Sequence, residues 1–114
     1  MLLQKEGYLL RIFIGESDRR KNGELLYEWI VRKAKEEGLA GATVLRGIMG
    51  FGANSRFIHT FKIERLSEDM PVVIEMVDTR GNLERFLDMV ESEIGAGLAT
   101  LEKAEVRFYR EEKQ

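Results

Sequence analysis

Leu83, Phe86, Leu87, Val90 and Ile94 recur at i, i+3, i+4, i+7 and i+11, a spacing that lines five apolar side chains along one stripe of an α-helix. A stripe of that width has to be buried, so the chain must supply a second layer to receive it. The helix is predicted to be capped at Asp78 or Thr79 and to stop before Gly95. A second stripe, Leu26, Trp29, Ile30 and Ala34, predicts a helix over 24–37 with Asn22 as its cap and Gly38 as its stop. Trp29 falls on that stripe and is read as core. The segments around the helices have a different period. Residues 8–14, YLLRIFI, form a short apolar run closed by Gly15, as a strand would be. Residues 42–49 are extended in character, and PVVIEMV from Pro71 is an apolar run broken only by Glu75. Its proline stands at the first residue, where a missing N–H costs the ladder least. Residues 98–109 alternate in their second half, with Ala104, Val106 and Phe108 on one face and Glu105, Arg107 and Tyr109 on the other.

The order is β-α-β-β-α-β, which predicts an α+β chain of the ferredoxin-like, split-βαβ kind: a four-stranded antiparallel sheet with two helices on one face. The other face then receives Leu9, Arg11 and Phe13 from the first strand and Val73, Glu75 and Val77 from the third. That mixture is too apolar to face water cheaply and too polar to bury without partners. Sheet-to-sheet packing between copies of the chain would satisfy it; a half-solvated antiparallel sheet is the plainer alternative.

Composition narrows the chemistry. A chain of 114 residues suits a single domain over 1–114, with a charged C-terminal tail at 110–114. No apolar run nears the roughly 20 residues of a membrane helix, and a glutamate interrupts the start, so the expected location is cytoplasmic with no membrane insertion. There is no cysteine, which removes thiolate metal sites and thiol nucleophiles. His59 is the one histidine and the net charge is −2. A metal site is not expected, and nucleic acid finds no general electrostatic attraction. No acid, base and nucleophile converge at a telling spacing, so an enzyme is not expected.

The segment most open to a ligand runs from Gly41 to Gly52, GATVLRGIMGFG. Gly47, Gly50 and Gly52 can turn successive N–H groups inward as an anion-binding concavity, or can simply bend and end a strand. The Gly-x-x-Gly-x-Gly spacing is neither a dinucleotide fingerprint nor a Walker A loop. Arg46 beside it could meet a phosphate or pair with Glu75 across the sheet, and both readings stand. Arg56 and His59 are loop candidates that could close over a ligand, although solvated side chains are the commoner case.

GATVLRGIMGFG resembles the second strand of PII signalling proteins, in which a Gly-Met-Thr-Val stretch runs to a Gly-Phe-Gly at the base of a long loop, and PVVIEMVD resembles their third strand. Residues 8–110 fit the same plan, most closely that of a branch of short PII-like proteins. The resemblance implies a homotrimeric signalling module that binds an adenine nucleotide in clefts between subunits. It reports the ligand to a protein target through a loop, here about 53–60. It also implies ligand contacts at Gly41, Ala42 and Thr43 on one subunit and at Gly50, Phe51 and Gly52 on its neighbour, with Glu75 and Val77 of the third strand lining the same cleft. Arg107 and Arg110 stand near two arginines of the family's last strand. The family's second glycine loop, Gly-x-Gly-Lys, corresponds to Gly95-Ala96-Gly97-Leu98, which keeps the glycines and lacks the lysine. A triphosphate needs that cation, so AMP or ADP is expected over ATP. One extra residue before Gly50-Phe51-Gly52 is expected to place Arg46 or Gly47 in a bulge. The alternatives are a small trimeric enzyme and a divalent-metal-responsive protein of the same fold.

Overall fold

In the computed structural model of the chain, residues 6–52 and 69–112 are described. Four strands, β1 (Glu6–Gly15), β2 (Thr43–Arg46), β3 (Pro71–Asp78) and β4 (Leu98–Glu105), pair antiparallel in the order β2-β3-β1-β4. Two helices, α1 (Leu26–Glu36) and α2 (Arg80–Val90), follow β1 and β3. The predicted α+β, ferredoxin-like arrangement is the one observed.

The period-2 pattern sets the two sheet faces. Leu10, Ile12 and Ile14 of β1 and Val72, Ile74 and Met76 of β3 are buried on the helix side, with Leu26, Trp29, Ile30, Ala34, Leu83, Phe86 and Val90 packed over them. Leu9, Arg11, Phe13, Val73, Glu75 and Val77 take the opposite parity and remain half-buried. On that open face Arg11 stands directly opposite Glu75 and diagonal to Glu102. Its guanidinium donates to both, at 2.9 Å and 2.6 Å. The hydrogen bond to Glu75, seconded by Glu102, raises Arg11 above its ordinary value.

Helix ends differ in detail from the sequence reading. Asn22 does not cap α1; its Oδ1 accepts the Glu24 N–H at 3.0 Å in the preceding turn, and the capping position is Leu25, which gives no side-chain bond. The stop is as expected. Gly38 adopts φ +78°, its N–H reaches the Lys35 carbonyl and the Leu39 N–H reaches that of Ala34, closing a Schellman motif with Leu39 against the core. At α2 the cap is Thr79, whose Oγ1 accepts the Asn82 N–H at 3.2 Å. Asp78 acts beside it and is wholly buried, 0% exposed. Its Oδ1 accepts the Thr79 N–H at 2.7 Å and the Asn82 side-chain amide at 2.8 Å, and its Oδ2 accepts the Ala40 N–H at 2.8 Å. One carboxylate therefore ties the end of β3, the start of α2 and the α1–β2 loop together. The α2 helix ends at Val90 and a 3₁₀ turn, Glu91–Glu93, carries the chain on toward Gly95.

Two strands are shorter than their sequence patterns. β2 keeps only four residues, and β4 leaves the sheet after Glu105, opposite Glu6, instead of running to Tyr109. The alternation of Ala104, Val106 and Phe108 thus continues past the paired ladder. None of the helices among the described residues is long and apolar enough to cross a membrane.

A cleft at one end of the sheet

Beyond Glu105 the chain turns across the open face, and its course depends on a missing side chain. A Cβ on Gly7 would lie 2.9 Å from Val106 Cγ2 and 3.4 Å from Val77 Cγ1, so Val106 seats only because residue 7 is glycine. Three residues on, the Tyr109 hydroxyl donates to the Ala40 carbonyl at 2.8 Å. Ala40 is the residue whose N–H is held by Asp78. The segment 106–109 and the stretch Ala40–Thr43 thereby form two walls of a cleft of about 520 Å³. Leu9, Glu75 and Val77 make its floor, and Ala104 and Glu105 lie at the end of β4.

The cleft gathers six of the expected ligand residues: Gly41, Ala42, Thr43, Glu75, Val77 and Arg107. Thr43 and Glu75 are register partners on neighbouring strands and share a face. Glu75 is engaged by Arg11. Arg107 is exposed on the cleft wall and makes no ion pair with any described residue. Arg110 stands just outside, its guanidinium 4.3 Å from the Phe108 ring centre.

Arg46, Gly47 and Leu98, with the glycines next to them in the chain, lie toward the opposite end of the sheet. Gly47 donates its N–H to the Pro71 carbonyl at 2.7 Å, and Pro71 pairs with Gly15 at the far end of β1. Leu98 pairs with Phe13 there. From Val77 to Pro71 is six residues of extended chain, about 20 Å. The glycines at that end are set largely by packing. A Cβ on Gly47 would sit 2.8 Å from Pro71 Cγ and 3.2 Å from the Pro71 carbonyl; on Gly97 it would sit 2.7 Å from the Phe13 carbonyl. Gly50 would be 3.4 Å from Pro71 Cγ, whereas Gly52 and Gly95 face open space. Phe51 is 72% exposed and Leu98 57%.

Three expectations are corrected. Arg46 does not pair with Glu75: the two have opposite parity in the β2–β3 register, and Arg46 donates instead to Glu16 at 3.0 Å. No bulge occurs at Arg46 or Gly47, since the ladder runs unbroken from Thr43↔Glu75 to Arg46↔Val72 and the Gly47 N–H extends it. That amide is committed to Pro71 and is not part of an anion-binding concavity. Arg56, His59 and the loop at 53–60 lie outside the described residues, as does the end of the charged tail at 113–114.

Sequence reasoning did not select Ala40, Val106, Phe108 or Tyr109 for the cleft. Gly7, a glycine at the start of an apolar strand, was the available signal for a close crossing.

The model of DUF190 (Uncharacterized ACR, COG1993) matches residues 7–106. The chain belongs to this family. A UPF0166 protein of Aquifex aeolicus (strain VF5) is 41% identical over 100 residues, covering 88% of this chain and 92% of that protein. The UPF0166 protein MJ1524 of Methanocaldococcus jannaschii is 44% identical over 79 residues, covering 69% of this chain and 70% of the relative. Among solved structures, a Thermus thermophilus protein described as PII-like (TTHA0516) superposes with a TM-score of 0.58 at 23% identity, covering 89% of both chains. CPII of Thiomonas intermedia K12, a structure bound to ADP and bicarbonate, superposes with the same TM-score at 13% identity, covering 89% of this chain and 88% of that one. This DUF190 protein therefore has the PII-like form of the ferredoxin-like fold.

Proposed function

We propose that this DUF190 protein is a non-enzymatic, PII-like regulatory protein that binds AMP or ADP in clefts completed by neighbouring copies. The observation that carries the proposal is the division of the expected ligand residues between the two ends of one sheet. Gly41, Ala42, Thr43, Glu75, Val77 and Arg107 line one cleft. Gly47, Gly97 and Leu98 begin about 13 Å further along the strands, four residues beyond Thr43, Glu75 and Leu9, and Gly50, Phe51 and Gly52 follow Gly47 in the chain. Two copies apposed end to end would bring the halves onto one ligand, and a homotrimer closes that contact in a ring. The open sheet face, with its apolar residues around the Arg11 ion pairs, is a surface such an assembly would cover.

Support comes also from the cleft itself. Its volume of about 520 Å³ falls in the range of roughly 300–1,000 Å³ usual for small-molecule sites. Its lining is mainly apolar, with Thr43, Glu75, Glu105, Arg107 and Tyr109 as its polar side chains. Arg107 can meet a phosphate bidentately. Leu98, where the resembling proteins carry lysine, offers no second cation, which favours fewer phosphates. Related folds crystallised with ADP and AMP in CPII of Thiomonas intermedia agree with this choice of ligand. Segment 53–60 is the candidate reporter to a protein target.

Calorimetric titration with AMP, ADP and ATP tests the ligand, and light scattering on the same sample tests the assembly. AMP or ADP is expected to bind more tightly than ATP, on a particle of three chains. Absence of binding by all three nucleotides would overturn the ligand assignment, and a monomer that binds normally would overturn the shared cleft. Arg107→Ala is expected to weaken binding about 10-fold or more, the usual scale for a charge-assisted hydrogen bond.

A further inference from the structure

The cleft has one wall that belongs to no helix or strand. Residues 106–109 leave the ladder at Glu105 and contribute four consecutive lining residues, Val106, Arg107, Phe108 and Tyr109. Arg107 and Phe108 are both exposed, Phe108 at 65%. A stretch so placed would ordinarily behave as a free tail whose ordering is charged against any ligand that needs it. Here it is pinned at both ends. Val106 sits in the notch left by Gly7, and the Tyr109 hydroxyl donates to the Ala40 carbonyl at 2.8 Å. The acceptor residue is itself tied down: the Ala40 N–H is bound to the buried Asp78 carboxylate, whose other oxygen holds the start of α2. The strap is thus fastened to an anchored post, with its cation and its ring between the two fastenings.

We infer that Tyr109 is a positioning residue of the cleft: its bond to Ala40 fixes the strap so that Arg107 and Phe108 face the ligand before it arrives. The inference rests on the reading of the cleft as a nucleotide site, with Arg107 directed to phosphate and Phe108 to the base or ribose. Tyr109 acts through the strap and not by touching the ligand. Removing the hydroxyl while keeping the ring frees the segment from Val106 onward. The ordering cost then returns to the binding step, an effect of about 3–10-fold for one neutral hydrogen bond.

Two measurements on wild type and Tyr109→Phe decide it, both on the full chain. The first is the dissociation constant for AMP and for ADP. The second is the rate of tryptic cleavage after Arg107 without ligand, which reports how often the strap leaves the sheet. The variant is expected to bind about 3–10-fold more weakly and to be cut faster after Arg107, while staying fully folded at the titration temperature. Equal affinity and equal cleavage would overturn the inference while leaving the nucleotide site intact. Weaker binding with unchanged cleavage would mean that Tyr109 touches the ligand directly, and overturns the positioning role. An unfolded fraction at that temperature that accounts for the lost affinity would make Tyr109 a structural residue and also counts against it. If wild type binds neither nucleotide, the cleft assignment fails; unchanged cleavage in that case removes the latch too, and faster cleavage retains the latch without a ligand to serve.

Discussion

Gly41 at the cleft end and Gly47 and Gly97 at the far end are used differently. At the cleft end, a Cβ on Gly41 would meet nothing within 4 Å, so the residue leaves room on a wall that other groups hold in place. The holding is done by Asp78 and Tyr109, through the N–H and the carbonyl of Ala40. At the far end Gly47 and Gly97 are themselves the structural device. Gly47 admits Pro71 and Gly97 admits the Phe13 carbonyl, at approaches no side chain tolerates. A glycine motif therefore does not identify a ligand site until its surroundings say whether the missing side chain leaves space or is filled by a neighbour.

The comparison breaks most severely at Asp78. Asp78→Ala strips the acceptor from the Ala40 and Thr79 N–H groups and from the Asn82 amide. The expected loss is about 3 kcal/mol or more by urea denaturation, given about 1–3 kcal/mol for each buried donor left unsatisfied. An unfolding free energy within experimental error of wild type would show that water satisfies these donors and that the cleft end needs no buried post. Next in size is Gly97→Ala, expected to cost about 1–3 kcal/mol as an overpacking change against backbone. Its counterpart Gly41→Ala, in open space, should stay within about 0.5 kcal/mol. Equal costs for the two would erase the distinction between the ends.

The smallest expected effect lies outside both ends. Glu24 accepts hydrogen bonds from Arg32 and Arg20, and the bond from Arg32 lowers its carboxyl below the ordinary 4.5. A carboxylate more acidic in the folded chain than in the unfolded one stabilises the fold at pH values above the unfolded value. That contribution drains away as pH falls through the folded value. Melting temperature followed downward from about pH 5 should therefore fall less steeply in Glu24→Gln than in wild type. The two ends of the sheet should respond alike to this change, since Glu24 lies in the turn before α1; a selective loss of nucleotide affinity would link it to the cleft.

The same physical division separates what was legible in the sequence from what was not. Period carried the strands and helices, because burying a stripe or a sheet face imposes a spacing that survives in one dimension. The core from Leu10 to Val90 and the open-face set around Arg11 and Glu75 are where that spacing puts them. Capping was less legible: α1 starts after Leu25 and not after Asn22, with Arg19 bridging to Leu25 across the turn that precedes it. The stretch Gly41–Thr43 and the residues Glu75 and Val77 could be selected because GATVLRGIMGFG and PVVIEMVD resemble the second and third strands of PII proteins, a likeness that is local in sequence. Tyr109 could not, since its partner Ala40 lies 69 residues away.

By itself the sequence determined the layers: two amphipathic helices, four strands and the side-chain parity of the sheet, all fixed by the cost of leaving apolar periodicity in water. Only the tertiary structure decided which end of the sheet opens into a cleft. That depends on single close approaches, Val106 at Gly7, Tyr109 at Ala40, Pro71 at Gly47 and Phe13 at Gly97, and such approaches are properties of pairs brought together in space rather than of any residue's neighbours along the chain.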